Sequence, residues 1–133
     1  MKITKIEGIG QVYADKFKNA GVVTIEDLLV EGGTKSGRKN LAGQTGIEES
    51  KILTWVNMAD LFRIKGVASQ FSELLHAAGV DTVKELKTRN AENLYARLVE
   101  VQEKTKITRA VPTLAQISDF ISQAGSLPPI VTH

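Results

Sequence analysis

The chain should fold as an all-α protein, about eight short helices arranged as two tandem, related halves that form one compact unit. Three features point there. Apolar residues recur at helical spacing through nearly all of the 133 residues, with only short punctuation between runs. No stretch shows the period-2 alternation of a half-buried strand. Finally, one phrase is written twice: Ile6 to Leu29 reads IEGIGQVYADKFKNAGVVTIEDLL, and Ile64 to Lys87 reads IKGVASQFSELLHAAGVDTVKELK. Every match falls at one offset (66 − 8 = 58), so the copies align without a gap.

The elements follow in order. Gln11 to Ala20 reads as a helix with Val12, Tyr13, Phe17 and Ala20 on its apolar stripe, and Gly21 supplies the left-handed residue that follows a helix end. Thr24 caps a short helix, Ile25 to Val30, whose first turn holds Glu26 and Asp27, favourable at a helix N-terminus. Glu31-Gly32-Gly33 should break it. Thr34 caps the next helix, which runs to about Gln44 and stops at Gly46. Glu48 to Leu61 follows, with Ile52, Trp55, Val56, Ala59 and Phe62 as its apolar face. In the second copy, Ser69 to Ala78 ends at Gly79, and Thr82 caps Val83 to Lys87. Asn90 opens a helix to about Lys104 with Leu94, Leu98 and Val101 along one side. Pro112-Thr113 starts the last, Leu114 to Ala124, which Gly125 closes.

The repeat outlasts its first phrase. Ile52, Trp55, Val56 and Ala59 match Ile117, Phe120, Ile121 and Ala124 at an offset of 65, so the second half carries seven extra residues (65 − 58 = 7). The basic stretch EKTKITR, Glu103 to Arg109, reads as the linker that holds them. The halves are therefore residues 1–62 and 63–125, with 126–133 an extended tail stiffened by Pro128 and Pro129.

Composition narrows the function. Hydrophobic residues make up 42% and aromatics 5%, so the core must be mostly aliphatic. The absence of cysteine removes disulfides, thiolate metal sites and cysteine nucleophiles. No apolar run approaches the roughly 18 residues of a membrane span, and no signal-peptide core opens the chain, so a cytoplasmic protein without a membrane partner is expected. The net charge is +2; residues 1–65 hold ten Lys/Arg against eight Asp/Glu, and residues 66–133 hold seven of each. Any anion must be bound by a local patch, since a dedicated nucleic-acid coat would be more basic. His76 and His133 have no partner at metal-ligand spacing, Asp60 and Glu73 read as helix-surface acids, and no nucleophile–base set or dinucleotide fingerprint appears. No enzyme, cofactor or metal is expected.

Gly8-Ile9-Gly10, preceded by the apolar Ile6 and followed by a helix with Ala14 on its inner face, resembles the helix-hairpin-helix motif. The AGVxTxxxL stretches, Ala20 to Leu28 and Ala78 to Leu86, are similar to the second hairpin of proteins built from paired units of this kind. The C-terminal domain of bacterial RNA polymerase α subunits carries a similar phrase. The chain as far as Pro128 also resembles an uncharacterised bacterial family known only as a domain of unknown function, most specifically through WVNMADLFRIKGV, Trp55 to Val67. The helix-hairpin-helix resemblance implies backbone contact with nucleic acid that ignores base sequence. Two departures matter. Gln11 and Val12 stand where that motif often has proline and then a cation, and Gly66-Val67-Ala68 has lost its second glycine.

The physical expectation is that the two glycines permit positive φ and close approach, while amides at the following helix N-terminus face a phosphate. Ile9 should anchor the turn in the core. Ala68 should resist positive φ and add a methyl at the point of approach, so only the first copy is phosphate-ready. The expected contacts are Lys5, Gly8, Ile9, Gly10 and Gln11, joined by a basic patch of Lys35, Arg38 and Lys39, with Lys2 nearby and Glu7 opposing. The Gly32-to-Lys39 run, GGTKSGRK, resembles a phosphate-binding loop only superficially. Arg38 replaces its lysine, Lys39 replaces its Ser/Thr, and no strand precedes it, so it reads as a flexible loop capped into a helix. Trp55 reads as core. The expected partner is a DNA or RNA backbone; the alternative is a protein partner for an interaction or scaffold module of the same fold. The sequence does not specify an oligomeric state.

Overall fold

A computed structural model describes Met1 to His133 and contains eight α-helices, one short 3-10 turn (Ile3–Lys5) and no strand. The helices are α1 (Gln11–Asn19), α2 (Ile25–Gly32), α3 (Lys35–Thr45), α4 (Glu49–Leu61), α5 (Ser69–Ala77), α6 (Val83–Leu86), α7 (Ala91–Thr105) and α8 (Leu114–Ser126). An isolated antiparallel bridge pairs Lys2 with Thr24. The residues divide into two compact units, the first Met1–Asp60 with Ile130–His133, the second Leu61–Pro129.

The backbone of the first unit recurs in the second at the sequence offset. The Ile9 amide donates to the Ile6 carbonyl at 3.2 Å, and Val67 donates to Ile64 at 3.1 Å. Ala14 donates to Gly10, and Ser72 to Ala68, both at 2.9 Å. After α1, Gly21 and Val22 bond back to Lys18 and Phe17; after α5, Gly79 and Val80 bond back to His76 and Leu75. Gly21 and Gly79 both take positive φ, 83° and 90°, which glycine adopts without a Cβ clash. Thr24 and Thr82 then cap α2 and α6 by accepting from the amides of Asp27 and Glu85. One sequence phrase produces one local geometry, twice.

Each unit buries its own apolar residues. In the first, Ile3, Ile6, Ile9, Phe17, Leu28 and Ile52 are among those removed from solvent. The second is centred on Ile64, Leu74, Leu75, Leu98, Ile117 and Phe120. The matched aromatics do matched jobs. A Cβ on Gly8 would lie 3.1 Å from Trp55 Nε1, and one on Gly66 would lie 3.0 Å from a ring carbon of Phe120. In each unit the first glycine of the turn is therefore covered by the ring from that unit's last helix.

Several expectations need correction. Val12 is 70% exposed, not part of the α1 stripe; Tyr13 and Phe17 turn inward instead. α2 does stop at Gly32-Gly33 as expected, two residues beyond Val30, but backbone freedom is not the reason. Gly32 ends α2, and a Cβ there would meet Val56 Cγ2 at 2.7 Å, so it is glycine for close packing, while Gly33 keeps right-handed helical angles. The expected flexible loop is instead a tight helix-to-helix junction, and a Cβ on Gly37 would collide with the Glu31 carbonyl. The first three of the basic linker's seven residues are helix: α7 continues to Thr105 and ends where Lys106 takes left-handed angles. Gly125 lies inside α8, which runs on to Ser126. Asp60 is not a surface acid but 1% exposed, because α4 is buried on every side from Trp55 to Leu61. The tail does not hang free: Ile130–His133 joins the first unit, with Val131 buried and the Thr132 amide donating to Gly33 O at 2.9 Å.

Candidate functional site

The turn at Gly8-Ile9-Gly10 is built by two apolar anchors. Ile6 and Ile9 are buried, so the chain between them is held at the surface, with Gly8 and Gly10 exposed. Gly8 takes φ +95°, for which glycine is needed. Gly10 does not: its φ is −86° and ψ −172°, ordinary extended angles at the N-cap of α1. Ala68 occupies the same position before α5 with φ −109° and ψ −172°. The expectation that the second glycine serves positive φ is thus wrong, since alanine adopts the same backbone in the other unit. Packing does not account for Gly10 either, as a Cβ there would meet nothing within 4 Å. What glycine leaves at this position is an open backbone.

That backbone leads into an uncapped helix. Gly10 has no side chain with which to cap α1, and Ala68 does not cap α5, whereas Thr24, Thr34, Thr82, Asn90 and Thr113 each cap the helix they precede; the two turns differ in the methyl, not in the cap. The first-turn amides of Gln11, Val12 and Tyr13 have no carbonyl within the helix to bond. Partial positive charge accumulates at such an end. The Gln11 side chain is engaged sideways, its Nε2 donating to Asp15 Oδ1 at 2.7 Å.

Cations surround the turn unequally. Lys2 and Lys5 are exposed beside it, with Glu7 exposed between them and Gly8. Lys2 and Gln11 line a shallow depression of about 290 Å³ together with Ala14, Asp15 and Lys18. Gly8 opens onto a second, about 390 Å³, lined also by Tyr13, Ser50, Lys51, Thr54 and Trp55. There the Lys51 ammonium donates to the Tyr13 phenol oxygen at 2.8 Å and lies 5.1 Å from the ring centroid. Tyr13 in turn packs edge-on against Trp55 with ring centroids 4.9 Å apart. The hydrogen bond with Tyr13 is the main cause raising the Lys51 pKa above its ordinary value. Tyr13 and Lys51 were not among the residues expected at the site; the signal that could have found them is that their counterparts in the repeat are Phe71 and Gln116.

The basic patch on α3 loses its central member. Arg38 is 4% exposed, and its guanidinium donates to the carbonyls of Gly32, Gly33 and Thr132 at 3.0, 3.1 and 2.6 Å. Desolvation lowers its pKa, and the nearby Glu49 carboxylate opposes that shift. Arg38 is an internal clamp, which explains a cation in the first turn of a helix better than an anionic ligand does. Lys35 and Lys39 remain exposed. Lys35 lines a third depression with Arg38, Glu49, Ser50, Leu53 and His133, to which the glycine turn contributes nothing.

These observations define an all-α protein with an internally repeated helical pattern and one open glycine turn beside a lysine–tyrosine cleft. The chain belongs to the family described as Domain of unknown function (DUF4332), whose pattern matches residues 7–127. No solved structure matches it. No helix is long and apolar enough to cross a membrane.

Proposed function

We propose that this protein is a non-enzymatic module, of helix-hairpin-helix type, that binds nucleic acid independently of base sequence by receiving backbone phosphate at the Gly8-Ile9-Gly10 turn. One observation carries the reading: Gly10 is glycine where neither backbone angles nor packing require it, at the start of a helix whose first amides no side chain caps. Absence of a Cβ matters at such a place when another molecule's oxygen approaches the backbone closely. Lys2 and Lys5 add charge beside the turn; Lys35 and Lys39 extend it on another part of the first unit. Base edges are not addressed, because amides and lysines contact phosphate alone. A cytoplasmic setting, with DNA or RNA as partner, goes with this reading.

The test is fluorescence polarisation with a labelled DNA duplex at low salt. Gly10→Val should weaken binding while circular dichroism stays unchanged, because valine readily adopts extended angles. Ala68→Val should bind like the wild type. Failure of the wild-type protein to bind duplex or single-stranded probes, or equal binding by both variants, would overturn the proposal. A protein-interaction module is the second reading, favoured by Val12, an apolar side chain left exposed on the same helix turn. An adaptor of that kind leaves the nucleic-acid probe free.

A further inference from the structure

The repeat provides an internal comparison. Because the backbone hydrogen bonds of the two units recur at a fixed offset, residues in one have defined counterparts in the other. Framework pairs keep their character: Ile6 and Ile64, Ile9 and Val67, Phe17 and Leu75, Ile52 and Ile117, Trp55 and Phe120 are all buried. The polar residues around the α1–α4 cleft of the first unit do not. Tyr13 corresponds to Phe71, Ser50 to Ala115, Lys51 to Gln116, and Thr54 to Asp119. The neighbouring Lys16 corresponds to Leu74, and Gly10 to Ala68. An aromatic pair persists at the same positions, Phe71 and Phe120 tilted with centroids 6.4 Å apart where Tyr13 and Trp55 are edge-on at 4.9 Å. The second unit thus folds on the same framework without a cation or hydroxyl of this set.

Gln116 shows what that helix position does when it serves only the fold. Its side chain closes the capping box of α8, accepting from the Thr113 amide at 2.8 Å. Lys51 instead reaches across to Tyr13 on α1. An exposed pair of this kind contributes little to stability. Its chemistry is nevertheless well set. With the ammonium donating to the phenol oxygen, the phenol proton is free to donate elsewhere, and the ammonium keeps two further N–H donors. Gly8 lines the same cleft, so these donors are continuous with the glycine turn. Lys16 adds a second cation 5.6 Å from the Tyr13 ring centroid.

We propose that Lys51, positioned by Tyr13, is a second phosphate contact, and that the α1–α4 cleft of the first unit receives the nucleic-acid backbone next to the phosphate held at the turn. This rests on the function proposed above. The asymmetry between the units then has one cause: Gly10, Tyr13 and Lys51 belong to a single binding surface that the second unit does not carry.

Binding of a labelled duplex, measured across a salt series, tests it. Each phosphate neutralised by a cation contributes a slope of about −0.9 to log K against log salt. Lys51→Met should therefore make the slope less negative by about 1 and lower low-salt affinity roughly tenfold. Lys51→Arg should retain the wild-type slope. Tyr13→Phe should keep the slope, since the charge remains, yet lower affinity a few-fold because the ammonium is no longer held. Lys87→Met removes the same charge from the second unit and should change neither quantity. If Gly10→Val loses binding but Lys51→Met matches the wild type, the cleft is not a contact and the turn reading stands. If Lys51→Met and Lys87→Met reduce the slope equally, the effect is diffuse charge and the proposal fails. If the wild type binds no probe, both proposals fall together.

Discussion

Trp55 covers Gly8 and stacks edge-on against Tyr13 and Phe17, and it is 6% exposed. Its removal would open a cavity that these side chains cannot fill, so Trp55→Ala should cost about 3–5 kcal/mol in chemical denaturation. An unchanged melting midpoint would mean that the ring is not core. Arg38 and Lys39 are adjacent cations with opposite fates. Arg38→Met removes a donor from the carbonyls of Gly32, Gly33 and Thr132, of which Gly33 keeps the Thr132 amide, and should destabilise by about 2 kcal/mol. Arg38→Lys should rescue little, because an ammonium cannot span the fork of a guanidinium. Lys39→Met should stay within about 0.5 kcal/mol of the wild type. Parallel denaturation curves for Arg38→Met and Lys39→Met would return Arg38 to the surface. The sequence could not separate the two, since Arg38's partners include Thr132, whose docking against Gly33 leaves no periodic trace.

Helix starts were the most legible elements, because a capping residue acts within three positions of itself. Thr24, Thr34, Thr82, Asn90 and Thr113 all cap where their spacing indicated. Helix interiors were read less well: periodicity put Val12 inside and Asp60 outside, and tertiary packing reversed both. Gly32 ends α2 as its position indicated, but it and Gly37 are small for a reason periodicity does not carry: each admits a neighbouring segment, Val56 at Gly32 and the Glu31 carbonyl at Gly37. The α2 cap has a pH signature. Backbone hydrogen bonds from Val23 and then Thr24 hold the Asp27 pKa below its ordinary 3.8. An acid with a depressed folded-state pKa contributes stability above its unfolded pKa and loses it as pH falls through the folded value. Asp27→Asn should therefore be less stable than the wild type near neutrality, with the gap narrowing in thermal melts as the pH falls below the ordinary 3.8. A gap that widens on acidification would contradict the capping-box account.

At the scale of the molecule, the repeat explains why the fold was legible and the site only partly so. Core positions are written twice in the same chemical character, so the helix order, the Trp55–Phe120 pairing and the offset could be read directly. The proposed binding residues are written once. Gly8, Ile9, Gly10 and Gln11 were recognisable because they are contiguous; Tyr13 and Lys51 meet only after α1 and α4 fold together. The central claim is that the first unit's turn is a phosphate site and the second unit's is a framework copy. Its most direct test is an amide-resolved NMR titration of the isotope-labelled protein with a short DNA duplex at low salt. The account predicts the largest shifts at the amides of Gly8 through Tyr13, small ones at Gly66 through Phe71, and loss of the first set in Gly10→Val. Shifts centred on the second turn, or none at either turn at saturating duplex, would contradict it.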